Sequence, residues 1–541
     1  MTLNFKNILQ QHPRVSSAAA ILLPACIYYA VLTSTHSINV PSSDDFTAIL
    51  DWMLSWSAAE GFSEKASLLL QQHYSHRIVF TRITTLLSTA INGSVSFVFI
   101  QIVGWACWLA FAMLLVRNIP RLKDSLFWAF AAGLVLFNPI GFSNFITAMQ
   151  GPQNLGIHFF ALSAFILATS RNRIGIPLAL TAGVAAIYIS ANGLVVLPII
   201  AVYFAFHHRW KECAITTLIQ IIAALIFFYG YERTSVTWDT GSLINQFFVM
   251  LGAPLCLLRI PYESAFWIGT PIALVTIIIL SNFKLLKEHS VAWMFLAFLL
   301  GSCAMAALGR MGWPDDYMLQ DRYRIYGILI ILLTACLFPA LQKIPKNVLN
   351  TMALFVALFY CLLGYLNNTA PLLSASLWKE STGINYQLGY PFPFVGEVPW
   401  PNAQQTLLLS DSNDIYQPPK ILNLDTLSII PETIGTKVNN PTWSAVRSNA
   451  GAGYWLISDT PSLPRPDAAY VVLPDREPVH LPQVLRRTSL KAFLISGKLI
   501  SDEYQLMLPL HLKWTGDARI IETDFDAERS LVRSKSILPQ P

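Results

Sequence analysis

Apolar runs of about 17 to 22 residues, the length a helix needs to cross the hydrocarbon of a bilayer, recur along this chain. They lie near residues 17–34, 95–116, 125–143, 154–170, 174–190, 193–207, 213–231, 263–282, 290–308, 324–341 and 347–366. With 54% of its 541 residues hydrophobic and 12% charged, the chain has the composition of a membrane protein. The runs predict a polytopic α-helical membrane protein with about eleven transmembrane helices. The first run, Ser17 to Leu32, follows Lys6 and Arg14, and no small-x-small cleavage pattern comes after it. It therefore reads as a retained helix. All seven cysteines fall in or beside apolar runs and read as packing residues without a disulfide framework. The net charge of +5 comes from scattered basic residues, which argues against nucleic acid as a partner.

The charge pattern orients these spans. With the N-terminus in the cytoplasm, the inner loops carry Arg117, Arg121 and Lys123, then Arg171 and Arg173, Arg209 and Lys211, Lys284 and Lys287, and Lys343 and Lys346. That is the positive-inside rule, met at every turn. The outer side then holds few basic residues: Lys65, Arg77, Arg82, Arg233, Arg259, Arg310, Arg322 and Arg324. Those need a reason other than topology. An odd number of spans places residues 367–541 outside, where short alternating stretches such as 469–473 and Tyr504 to Leu508 stand between Pro-rich and Asn/Asp-rich turns. This part reads as a small β-rich extracytoplasmic domain behind a membrane module of residues 1–366.

The first outer loop, 35–94, is too long for a plain connector. Phe46, Ile49, Leu50, Met53 and Leu54 form the stripe of an amphipathic helix, and Trp52 and Trp56 beside it predict an interfacial position. A second helix is expected from Ser63 as cap through Leu70, and a third from Ile78 to Ala90. Residues 232–262 join a polar part, Glu232 to Ser242, to an apolar part too short to cross. An interfacial or re-entrant element fits there.

Several clusters carry chemical potential. Asp44 and Asp45 follow Pro41-Ser-Ser directly before the amphipathic helix. One aspartate serves as an N-cap, whereas a second, beside apolar sequence, is costly unless it holds a cation or a proton. His73, His76 and Arg77 stand at i, i+3 and i+4, one face if that segment is helical. Their plain reading is a basic face on anionic headgroups, and two histidines alone are a weak metal signal. The loop from Gly309 to Arg324 brings three arginines to the arginine-poor side. Arginine in a partly dehydrated site grips phosphate with two parallel N–H bonds, although pairing with Asp315, Asp316 or Asp321 would make the same residues a surface network. Asn138, Asn144, Gln150, Gln153 and Asn154 gather around one outer turn, and Asn192-Gly193 marks the next. Singly such amides are helix caps; as a set they suit sugar hydroxyls.

Taken together, Asp44-Asp45, His76-Arg77-Ile-Val-Phe-Thr-Arg82, Asn192-Gly193-Leu, Leu251-Gly252-Ala-Pro and Arg322-Tyr323 make residues 1–366 resemble the bacterial GT-C glycosyltransferases, and among them the O-antigen-modifying glucosyltransferases. The Trp-Trp-Asp motif of oligosaccharyltransferases is absent. The resemblance implies an inner-membrane enzyme that moves a sugar from a polyprenyl-phosphate carrier to an extracytoplasmic hydroxyl, on a lipid-linked glycan or O-antigen, among membrane lipids. It implies a catalytic base at Asp44 or Asp45. It further implies arginines at Arg310 or Arg322, with Arg77 a third candidate, on the lipid phosphate; His73, His76, Gln150 and Tyr323 are further candidate substrate contacts. A direct displacement with inversion needs one carboxylate. No cofactor is implied, and a divalent metal is left open. The alternatives are a protein glycosyltransferase, an O-antigen polymerase or ligase, and a transporter of lipid-linked sugars, for which charged or broken helices in mid-membrane would speak.

Overall fold

The computed structural model describes residues 13–232, 238–256, 262–338, 345–389 and 402–421, and the strands and one helix of the C-terminal part. Lys6, Arg233, Arg259, Lys343 and Leu473 lie outside the described residues, as do the side chains of Asp315 and Asp316. The chain divides into two compact units. The first comprises Met1–Leu32, Glu60–Leu87 and Phe99–Gly364, the second Thr33–Ala59, Ser88–Val98 and Tyr365–Pro541.

The first unit is built from helices. Among the described residues of the whole chain, six helical segments are long and apolar enough to cross a membrane: Ala19–His36, Phe97–Asn118, Trp210–Phe228, Glu263–Ser281, Ser290–Leu308 and Lys346–Gln387. This is the helix content of a polytopic membrane protein. The other five predicted spans are shorter helices: Leu126–Leu136, Gly156–Ala168, Gly175–Ile187, Val196–Phe206 and Asp321–Leu337. Their shortness has a local cause. Non-α turns at Pro139–Gly141, Gly151–Leu155 and Ala191–Val195 interrupt the apolar runs of the first four.

Irregular backbone among apolar side chains needs its polar groups satisfied. Helix Phe97–Asn118 supplies much of this from one face. Gln101 Nε2 donates to Ile146 O at 2.6 Å, Trp105 Nε1 to Phe145 O at 2.8 Å and Trp108 Nε1 to Leu136 O at 3.1 Å. Asn138 Oδ1 accepts from Ile140 N at 2.8 Å. In contrast, Trp210–Phe228 exposes Ile215, Leu218, Ile221, Ile222 and Leu225, the ridge that lipid would cover. The segment expected to be re-entrant is helix Thr240–Gly252, capped by Asp239 Oδ1 on Gly241 N and Ser242 N. It packs backbone to backbone on helix Tyr262–Ser281. A Cβ on Gly252 would lie 1.9 Å from Ala265 O, and one on Gly269 1.8 Å from Phe248 O. Glycine at both positions is what lets the helices approach this closely.

The second unit contains the start of the first outer loop. Phe46–Leu50 is a π-turn that runs into helix Asp51–Ala58, with Phe46, Ile49, Leu50, Trp52 and Met53 buried. Trp52 is 2% exposed, so it packs inside protein instead of lying at an interface. Thr406 Oγ1 in helix Ala403–Ser412 donates to Asp51 Oδ1. Phe97 N donates to Asn39 Oδ1 at 2.7 Å, and Tyr416 OH donates to Asn39 O at 2.7 Å. Pieces of the first loop thus belong to one unit with the C-terminal part. Helix Lys346–Gln387 does not stop at residue 366, so the expected domain boundary falls inside a helix. The expected β-rich part is present as two antiparallel four-stranded sheets. They are formed by β1 (Trp443–Arg447), β2 (Gly453–Ser458), β3 (Ala468–Val472), β4 (Val479–His480), β5 (Gln483–Arg487), β6 (Ile500–Pro509), β7 (Arg519–Asp526) and β8 (Arg529–Ile537), in the orders β1-β2-β6-β5 and β4-β3-β7-β8. The seven cysteines are all free thiols.

We expect Gly252→Ala or Gly269→Ala to cost about 1–3 kcal/mol through overpacking, read as a lower melting temperature of the detergent-solubilised protein. A melting curve unchanged in both variants would contradict the close crossing.

Candidate anion-binding site

The segment expected to display His73, His76 and Arg77 on a helical face is a tight loop. Helix Phe62–Leu70 begins at Gly61, with no side-chain cap from Ser63, and ends where Gln71 turns extended. His73 and His76 then exchange backbone hydrogen bonds of 2.8 and 2.9 Å around Tyr74, which has φ +48°. Two arginines hold the end of that helix. Arg82 Nη1 donates to Leu68 O at 2.9 Å, to Leu69 O at 3.0 Å and to Gln71 O. Arg77 donates from Nη1 to Leu70 O, from Nε to Phe227 O at 2.6 Å and from Nη2 to Tyr229 O, with its guanidinium 5.8 Å from the Phe227 ring centroid. Cations suit the free carbonyls of helix C-termini. The buried Arg77 therefore clamps two helix ends with three of its five N–H donors.

The loop turns His76 toward the Ser190-Ala191-Asn192 turn. Ala191 N–H donates to His76 Nδ1 at 3.1 Å, and Ser190 Oγ lies 3.3 Å from the same nitrogen. A ring nitrogen that accepts carries no proton, so the neutral imidazole keeps its proton on Nε2, as a donor. Burial first, then the charges of Arg310, His73 and Arg322, hold the His76 pKa down to about 3. Burial and the Arg82 charge hold His73 down to about 4. Both are neutral near pH 7. His76 is half-buried at its surface although protein surrounds it, the situation of a residue lining a recess.

Arg310 and Arg322 share that recess. The turn after helix Ser290–Leu308 is fixed by Gln246 Nε2, which donates to Arg310 O at 2.8 Å and Trp313 O at 3.2 Å, and by Gly312 N, which donates to Ser242 Oγ at 3.3 Å. The Arg310 guanidinium sits 5.3 Å from the Trp313 ring centroid and 5.8 Å from that of Tyr317. Arg322, in the first turn of helix Asp321–Leu337, sits 5.6 Å from Tyr317 and 5.2 Å from Tyr323, and its Nη2 donates to the Tyr317 hydroxyl. The rings orient both cations through their π-faces. Asp321, expected as an ion-pair partner, accepts instead from Ser143 N at 2.7 Å, and Asn144 Nδ2 holds Arg322 O at 3.1 Å. Among the described residues Arg310 pairs with no carboxylate, and its buried Nε has no partner. Two guanidinium groups and a neutral N–H donor in a half-buried recess favour an anion with several acceptor oxygens.

The other expected site residues lie elsewhere. Gln150 is buried with Oε1 unpartnered, and shares no hydrogen bond with the recess among the described residues. Asp44 and Asp45 belong to the second unit. Asp45 occupies the N-cap position, but its side chain does not cap the helix. The carboxylate turns back to accept from Ser42 N at 3.0 Å and Ser42 Oγ at 3.3 Å. It is fully buried, as is Lys379, which lies within its electrostatic reach. That is the cation a second aspartate requires. Asp44, also buried, contributes its carbonyl to Ala48 N at 2.9 Å. No group of three His, Cys, Asp or Glu side chains placed to hold a metal ion occurs among the described residues. Trp313, Tyr317 and Ser190 were not singled out from the sequence; the aromatic residues interleaved with arginine between Arg310 and Arg324 are the signal that could have found the first two. Comparison of the chain with family models, curated proteins and solved structures finds no match.

A depressed imidazole pKa links stability to pH. Unfolded His76 takes up a proton near pH 6.5, the folded form only near pH 3, so stability falls as pH drops through that window, by at most about 1.4 kcal/mol per unit. We expect the melting temperature in detergent to fall between pH 7 and 4.5, and His76→Gln to flatten that slope. An equally steep slope in H76Q would contradict the assignment.

Proposed function

We propose that this protein is a GT-C type glycosyltransferase of the bacterial inner membrane. It transfers a sugar from a polyprenyl-phosphate carrier to a hydroxyl of an extracytoplasmic lipid-linked glycan or O-antigen, by inverting displacement. The observation that carries the reading is the cationic recess of Arg310, Arg322 and His76 in a unit made of membrane helices. In this reading the N-terminus is cytoplasmic, residues 367–541 are periplasmic, and the five shorter helices complete about eleven spans.

The chemistry follows from charge. A glycosyl phosphodiester carries one negative charge and the departing phosphate monoester two. As the bond from the anomeric carbon to the phosphate oxygen breaks, its electron pair goes to that oxygen, where fixed cations and the Nε2 proton of His76 stabilise it. The acceptor oxygen bonds to the anomeric carbon from the opposite face, and its proton passes to a carboxylate base. That base is Asp44, assigned on the family resemblance. Asp45, bonded to Ser42 and near Lys379, keeps a positioning role. One observation favours a carrier: the broken helices near the middle of the chain, since transporters bind at such breaks.

Transfer is measured by incubating the purified protein with polyprenyl-phosphate hexoses and an acceptor glycan and following released polyprenyl phosphate, which a carrier does not produce. We expect Asp44→Asn to fold normally and to lose transfer by about 100-fold or more. Arg310→Ala should lower kcat/KM for the donor by about 100-fold. Near-normal transfer by D44N removes Asp44 as base, and unchanged donor kinetics in R310A remove the recess as phosphate site.

A further inference from the structure

The turn that satisfies His76 carries a second, unsatisfied cluster immediately beside it. Asn192 Nδ2 lies 3.1 Å from both Ser302 Oγ and Tyr326 OH. All three residues are more than nine-tenths buried. Asn192 Oδ1 has no partner, and among the described residues neither hydroxyl donates its proton to an acceptor. Whichever way the amide is turned, the two hydroxyls satisfy only one of its ends. Leaving such a group unpaired costs about 1–3 kcal/mol, so a folded protein that keeps an unpaired amide end beside two buried hydroxyls points to something that fills it.

The cluster is placed by the same elements as the anion site. Asn192 follows Ala191, whose N–H binds His76. A Cβ on Gly193 would come within 2.1 Å of Ala186 O, so glycine alone allows the turn to seat against the preceding helix with Asn192 directed at helices Ser290–Leu308 and Asp321–Leu337. On the latter, Tyr326 follows Arg322 by four residues and Tyr323 by three, on the same face about one helical turn further along.

We infer that Asn192, Ser302 and Tyr326 form a hydroxyl-binding subsite that takes the sugar ring of the donor while Arg310, Arg322 and His76 hold its phosphate. As placed, with Nδ2 on the two hydroxyls, the amide offers one free acceptor and the hydroxyls two free donors, the complement of vicinal sugar hydroxyls, each of which both gives and takes a hydrogen bond. This inference rests on the phosphate reading proposed above and extends it to specificity: a site built to hydrogen-bond a hydroxyl rejects ligands that lack it.

The test is equilibrium binding to the full chain in nanodiscs, with the methyl diester of polyprenyl phosphate as the bare phosphate, since it carries the same single charge as the donor, and with the same lipid carrying glucose, galactose, mannose or N-acetylglucosamine in place of the methyl group. We expect the wild type to bind at least one sugar-bearing lipid about tenfold tighter than the bare phosphate. Asn192→Ala and Tyr326→Phe should lose that increment while binding the bare phosphate as the wild type does. If no sugar adds affinity to the wild type, or if the increment survives in both variants, the cluster holds water only and the inference is overturned. Failure of the phosphate reading gives a different pattern: the bare phosphate then binds R310A and the wild type equally, whatever the sugar contributes. Tyr326→Phe removes one oxygen and keeps the ring, so matched melting curves separate a lost contact from a lost fold.

Discussion

The hydrogen bond from the Ala191 backbone to His76 Nδ1 is the contact on which the candidate site depends. It ties the loop of residues 71–78 to the Ala191–Val195 turn, and it fixes which imidazole nitrogen keeps the proton. Three further constraints make it possible. Arg77 and Arg82 bind the carbonyls at the end of helix Phe62–Leu70, so the chain can leave that helix in a turn tight enough to aim His76. Gly193 permits the turn on the other side of the bond. Burial together with Arg310 and Arg322 keeps the imidazole neutral, so it donates from Nε2 without adding a third positive charge to a recess that already holds two.

A second constraint governs the helices around it. Apolar surroundings do not forgive an unpaired backbone group, yet the chain breaks its helices at Pro139–Gly141, Gly151–Leu155 and Ala191–Val195. Around the first of these breaks the cost is offset by side chains, Gln101, Trp105 and Trp108 from one helix and Asn138 and Asn144 from the broken segment itself. The breaks serve the site. Asn144 and Ser143 hold the start of helix Asp321–Leu337 and with it Arg322, and the third break carries Ala191 and Asn192.

Much of this was legible in the sequence, and the failures share a physical origin. Long apolar runs marked the membrane helices because apolar length is a local property. The scarcity of arginine on one side singled out Arg310 and Arg322, which the structure does bring together around Tyr317. Spacing failed where tertiary contacts decide conformation. His73, His76 and Arg77 have helical spacing, but the carbonyls that Arg77 binds at residues 70, 227 and 229 come from two helices distant in sequence. Trp52 reads as an interfacial anchor by composition, yet its environment is protein. The cation that Asp45 needs was inferred on electrostatic grounds; its identity, Lys379, lies more than three hundred residues away and had no local signature.

The central claim is that Arg310, Arg322 and His76 hold the phosphate of a lipid-linked sugar. A density map of the protein in nanodiscs with bound polyprenyl-phosphate hexose tests it most directly. The account predicts phosphate oxygens within hydrogen-bonding distance, about 2.7–3.2 Å, of both guanidinium groups and of His76 Nε2. A phosphate bound elsewhere, with the recess holding only solvent, would contradict it.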